Sequence, residues 1–186
     1  MSNTIETIMT RRSCRSYKED QIPEEILTRI LECGLQAPNS GGKQAWYFSV
    51  VQNKDTLAKM GGIIRDKMQN SGVDFLVNMA SMPGYDPLHH APTVVFVSAP
   101  ESNQYGSIDG ALAAGNMVLS AAELGIASCI TTSSQFAFGS PEGQAIKSEL
   151  GIPAENRTVC AVALGYQDKD PMPAAPRSKT VISFVK

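Results

Sequence analysis

The chain has 186 residues, enough for one domain with a continuous core spanning 1–186. It is 42% hydrophobic and 18% charged, with 16 basic and 18 acidic residues and a net charge of −2, an ordinary balance for a soluble globular protein. That balance argues against a nucleic-acid or membrane-surface partner, either of which would call for a basic excess or face. No stretch approaches the ~20 apolar residues of a membrane span. With no signal-like apolar run at the N-terminus, a cytoplasmic location is expected. The scattered Cys14, Cys33, Cys129 and Cys160 lack zinc-ligand spacing and read as reduced, buried, small hydrophobes.

In chain order, Asn3 or Thr4 can cap a short helix through Ile5, Ile8 and Met9 that ends at Arg11-Arg12-Ser13. Pro23 then opens a second helix from a first-turn position, with Ile26, Leu27, Ile30, Leu31 and Leu35 as its apolar stripe. Pro38-Asn39-Ser40-Gly41-Gly42 breaks that pattern into a loop. A buried strand is expected over 46–51. A helix follows from Lys54 to about Asn70, interrupted at Gly61-Gly62. Residues 71–91 have no clear period and read as a mobile lid or a family-specific insertion. A second buried strand covers 93–97.

Ile108 to Leu124 is the strongest helical signal: nearly uncharged and rich in Ala and Gly, so it must be buried, in the core or across a dimer axis. A third strand over 126–131, a helix over 141–150 and a fourth strand over 158–164 complete the pattern. Prolines keep the tail at 171–176 extended. Helices and strands mix without strict alternation, which favours an α+β class with helices flanking the sheet.

Several chemistries are absent. There is no GxGxxG after a strand, no GxxxxGK[ST] and no GxSxG elbow. The only histidines, His89 and His90, are adjacent and diverge on any regular element, so they read as a surface loop rather than a metal site. Nothing supplies an acid–base pair or an activated nucleophile, so an enzyme here would borrow its chemistry from a cofactor, and no catalytic side chain is expected.

Three segments carry polar recognition. Arg11-Arg12-Ser13-Cys14-Arg15 gathers three guanidinium groups and a hydroxyl, suited to bidentate phosphate binding. The same cluster also reads as cations complementing a helix C-terminus. The loop Ala37 to Trp46 offers glycine flexibility with Asn, Ser and Gln for the edge of a flat polar ring, or is simply a helix-to-strand turn. The tail closes with Arg177 and Lys179, either part of a site or a solvated terminus.

Their order resembles the nitroreductase family. The resemblance rests on an RRSxRxY-type start (Arg11, Arg12, Ser13, Arg15, Tyr17), an APxSxxxQxW loop (Ala37, Pro38, Ser40, Gln44, Trp46) and Asp-Gly-Ala-Leu-Ala-Ala at 109–114. Leu-Gly-Ile-Ala-Ser-Cys at 124–129, Val-Ala-Leu-Gly-Tyr at 162–166 and Pro176-Arg177 follow in order. Gly42 and Ala45 stand where many members have Asn and Pro.

The resemblance implies a mixed, mainly antiparallel sheet and an intertwined homodimer with two FMN sites, each built from both subunits. Arg11, Ser13 and Arg15, with Arg12 beside them, would meet the FMN phosphate and ribityl chain. Arg177 and Lys179 would reach the phosphate from the tail. Pro38, Asn39, Ser40 and Gln44 of the partner would border the flavin, and Ile130, Thr131 and Thr132 its pyrimidine edge and N5. The activity implied is ping-pong hydride transfer from NADH or NADPH to a small electron acceptor such as a nitroaromatic or quinone. Alternatives are a flavin-fragmenting or dehalogenating relative, and an FMN storage or sensor module without turnover. A blander one is an anion-binding protein that uses the arginines without flavin.

Overall fold

The computed structural model describes residues 4–138 and 140–186. The capping role expected of Asn3 lies outside them; Thr4 is already the first residue of helix α1 (Thr4–Thr10). Helix α2 (Glu24–Leu35) begins one residue after Pro23, which serves as its N-cap, while Glu24 and Glu25 complement the positive end of the helix. Then come strand β1 (Tyr47–Val51), helices α3 (Lys54–Gln69) and α4 (Asp74–Ala80), and strand β2 (Thr93–Pro100). Helix α5 (Gly106–Glu123), strand β3 (Ala127–Thr131), helix α6 (Pro141–Glu149) and strand β4 (Asn156–Gly165) complete the order.

The strands form one antiparallel sheet in the order β1-β2-β4-β3. The central strands β2 and β4 are buried on both faces, which is why their sequences are continuous apolar runs. Alternate residues of β2 divide between two cores. Val95 and Val97 pack with Ile30 of α2 and Met117 of α5. Val94 and Phe96 pack with Met60 and Ile64 of α3 on the opposite face. The architecture is thus α+β, a sheet sandwiched between helices.

Two expectations need correction. Helix α3 runs through Gly61-Gly62 without interruption. Gly61 is buried against Asp86, whose carboxylate oxygen would lie 2.7 Å from an added Cβ, so this glycine serves a close approach rather than a break. Residues 71–91 are not a bare loop: they hold α4, and then a turn that Asp86 ties down by accepting from the Leu88 and His90 amides (3.0 and 2.7 Å).

Helix α5 buries Asp109, Ala113, Ala114, Met117 and Ala121 against α2 and the sheet. Its outward stripe (Ile108, Ala111, Leu112, Gly115, Leu119 and Ala122) stays partly or fully exposed in the single chain. The tail after residue 171 has no regular structure and is exposed throughout, including the apolar Met172, Val181, Ile182, Phe184 and Val185. Among the described residues, no helix is long and apolar enough to cross a membrane.

Candidate functional site

The arginine cluster leaves α1 directly: the Arg11 amide closes the last turn on the Thr7 carbonyl (2.9 Å). Ser13 then forms a parallel bridge with Ser128, and the Cys14 amide donates to the Ser128 carbonyl (2.9 Å), strapping the cluster along the start of β3. The half-buried Tyr17 holds the strap from behind, its hydroxyl donating to the Cys14 carbonyl (2.8 Å). Burial pushes the Tyr17 phenol well above its ordinary range, so it stays a neutral donor.

A cleft of about 250 Å³ opens here, with Arg11, Arg12 and Cys14 on one wall, Ala127 and Ser128 on the other, and Pro171 among its lining. The Ser128 hydroxyl is buried with no hydrogen-bond partner among the described residues. An orphaned buried hydroxyl costs about 1–3 kcal/mol, an unmet polar demand beside the cleft. The Arg11 guanidinium likewise makes no hydrogen bond or ion pair within the described chain. Arg12 differs, since its guanidinium already donates to the Met9 and Arg11 carbonyls (2.9 and 2.8 Å) and completes the C-terminus of α1 while lining the cleft.

Arg15 is exposed but within electrostatic reach of β3. Burial raises the Cys129 thiol above its ordinary range, while Arg15, the Ser13 hydroxyl and Arg11 all pull it the other way. Those three groups therefore all act on one thiol of the strand. A cleft carrying guanidinium groups and an unsatisfied hydroxyl fits a phosphomonoester. Two to four residues beyond Ser128, about 7–13 Å by strand rise, lie Ile130 to Thr132, with Ile130 exposed and the Thr131 and Ser133 hydroxyls paired at 2.7 Å.

The loop at 38–44 sits elsewhere. Pro38 and Gln44 are exposed, Asn39 and Ser40 half-buried. Asn39 accepts from the Gln44 amide through its side-chain oxygen (2.8 Å), and Asp109 accepts from the Ser40 amide (3.0 Å). That second bond places the loop at the start of α5. The arginine cleft touches Ala122 near the end of α5, thirteen residues or about 20 Å of helix away. Arg177 and Lys179 are exposed and do not line the cleft. One chain thus brings together Arg11, Arg12, Ser13, Arg15 and β3, and leaves the loop and the tail apart from them.

Sequence reasoning missed Ser128, visible only as a letter in the 124–129 motif, and Asp109, visible only as the start of the 109–114 motif. A serine inside an apolar strand facing a basic cluster was the available signal for the first. A lone acid in the first turn of a helix uncharged from there to residue 122 was the signal for the second.

Fold and cleft together define an α+β protein suited to a phosphorylated small molecule at a sheet edge. The chain belongs to the nitroreductase family, whose model, described as "Nitroreductase family", matches residues 8–166. It is similar to a crystal structure of a nitroreductase with bound FMN from Bacteroides fragilis, at a TM-score of 0.92 and 32% identity, covering 100% of both chains. It is also 25% identical to an iodotyrosine deiodinase of Thermotoga neapolitana over 94% of this chain and 93% of that one. To an NADPH-flavin oxidoreductase of Vibrio harveyi it is 28% identical over 92% of this chain and 68% of that one. Matches to two archaeal relatives, from Methanothermobacter thermautotrophicus and Archaeoglobus fulgidus, span only 37% and 34% of those proteins' own length.

Proposed function

We propose that the chain works as a homodimeric, FMN-dependent oxidoreductase that passes hydride from NADH or NADPH to a small acceptor such as a nitroaromatic or quinone, in a ping-pong cycle. The observation that carries this reading is the cleft lined by Arg11, whose guanidinium is free, and by Ser128, whose hydroxyl is unpaired, in a chain whose full-length structural neighbour holds FMN. Bound FMN would supply reversible two-electron chemistry. No side chain of the site is suited to proton transfer, so the protein's part is binding, orientation and electrostatics.

Arg11, Ser13 and Ser128 would hold the phosphate, with Arg12 alongside and Arg15 further along β3. Backbone groups of Ile130, Thr131 and Thr132 would border the ring. A second copy is supported by three observations. The cleft, at about 250 Å³, falls below the ~300–1,000 Å³ of a complete ligand pocket. The loop at 38–44 lies about 20 Å along α5 from the cleft of its own chain, and an antiparallel pairing of two α5 helices would set it beside the partner's cleft. The outward stripe of α5 and the apolar tail are open, and a second copy would cover them; Arg177 and Lys179 of that tail would reach the phosphate.

The test is anaerobic mixing of the FMN-loaded dimer with NADH or NADPH, followed by menadione or a nitrofuran. The expected result is bleaching of the visible flavin band and its return with the acceptor. Absence of bleaching with both donors would overturn the reading and leave an FMN storage or sensor module. Halide release from an iodinated phenol would assign the chain to the dehalogenating branch.

A further inference from the structure

Asp109 is the one acid of the otherwise uncharged stretch 106–122, and its residue is only 3% exposed. A carboxylate is not buried at such a place without a task, because burial costs it hydration that only hydrogen bonds can replace. Its Oδ1 accepts from the backbone amide of Ser40 at 3.0 Å. Its Oδ2 has no partner among the described residues. The bond crosses from α5 to the loop between α2 and β1, 69 positions away in sequence.

That loop needs a tether. Gly41, Gly42 and Gln44 all have left-handed backbones, with φ of 63°, 65° and 49°. A glutamine persists there only where its surroundings hold it. Asn39 closes the loop on itself through the Gln44 amide, which fixes its shape but not its place on the fold. The place is set by Asp109, through a charge-assisted bond in a site shielded from water. Further back, Asn116 of α5 donates to the Cys33 carbonyl at 3.1 Å, so the same helix also holds the end of α2 from which the loop departs.

We propose that Asp109 is the positioning residue of the flavin-facing loop: through the Ser40 amide it couples the start of α5 to Asn39, Ser40 and Gln44, and so sets how these groups border the isoalloxazine of the partner's site. The loop's facing a flavin rests on the function proposed above; its being held by Asp109 does not. Asp109 acts through the backbone of Ser40 and touches neither substrate nor reacting atoms.

The experiment measures amide hydrogen exchange at residues 38–45 by NMR, in the wild type and in Asp109→Ala, with FMN affinity read by fluorescence titration. In the wild type the Ser40 amide is expected to be protected, with or without FMN. In Asp109→Ala its exchange should rise at least about tenfold and the Kd for FMN should rise about tenfold, as expected for a lost hydrogen bond to a charged group. Asp109→Asn, which keeps an acceptor oxygen, should restore both to within about threefold, whereas Asp109→Leu, which fills a similar space without an acceptor, should not, a contrast that a general packing role would not give. Exchange of the wild-type Ser40 amide at the rate of a free peptide would overturn the proposal, even if Asp109→Ala failed to fold. So would a folded Asp109→Ala with unchanged exchange and unchanged FMN affinity. A wild type that takes up no FMN would defeat the flavin reading alone, and the exchange data would still decide whether Asp109 holds the loop.

Discussion

Arg11 offers the sharpest separation of binding from folding. Its guanidinium has no hydrogen bond or ion pair within the described chain, so Arg11→Ala removes nothing that supports the fold and should leave stability within about 0.5 kcal/mol. If the group holds a phosphate, the same substitution removes one charge-assisted interaction of about 1.5–3 kcal/mol, or roughly tenfold to more than a hundredfold in Kd. Arg12→Ala should behave in the opposite sense. It loses two carbonyl contacts at the end of α1, 2.9 and 2.8 Å long, so it should destabilise the protein by about 1 kcal/mol while costing less FMN affinity. The assay is fluorescence quenching of FMN titrated with apoprotein, beside a thermal melt of each variant. Raising ionic strength should weaken the wild type more than Arg11→Ala, since one screened attraction is already gone. An Arg11→Ala protein that binds FMN within twofold of the wild type would refute this assignment.

Other outcomes follow from the packing and the titrating groups. Gly143→Ala would put a Cβ 1.8 Å from the Ala137 carbonyl oxygen at the start of α6, so the turn must open; a loss of about 1–3 kcal/mol or more is expected, a fall of several degrees in Tm at roughly 2–4 °C per kcal/mol. Gly62→Ala, at an exposed position of α3, meets nothing within 4 Å and should raise Tm through about 0.5–1 kcal/mol of helix propensity. Burial pushes the Cys160 thiol from 9.0 up to about 12, with Tyr17 and Cys129 moved the same way. A thiol that ionises at 9.0 when unfolded but only near 12 when folded contributes stability below pH 9 that drains away up to pH 12; denaturant melts should show this decline, and Cys160→Ala should flatten it. Leu112→Asp on the open stripe of α5 should yield a monomer by light scattering and abolish FMN retention with it, whereas a dimer unchanged by that substitution would contradict α5 pairing.

The sheet was legible because β2 and β4 lie at its centre, and two-sided burial writes itself as the runs 93–97 and 158–164. Helix α4 was not legible, since seven residues with Phe75 exposed give no stripe. The pair Gly61-Gly62 misled because composition cannot distinguish a helix break from a glycine admitting the Asp86 side chain. At the candidate site, the arginine cluster was readable as chemistry, but not that Arg12 is partly committed to the α1 carbonyls. Ser128 and Asp109 stayed hidden because their importance depends on a bridge to Ser13 and a bond to Ser40, both formed between distant segments. The separation of the loop from the cleft is a property of α5's length and direction, which no local motif records.

The account's central claim is that FMN is held between two copies of this chain, and analytical ultracentrifugation with visible detection tests it most directly. Purified protein, loaded with FMN and desalted, should sediment as one species of twice the chain mass with one flavin per chain. Flavin that sediments free of the protein, or that travels with a monomer, would contradict it.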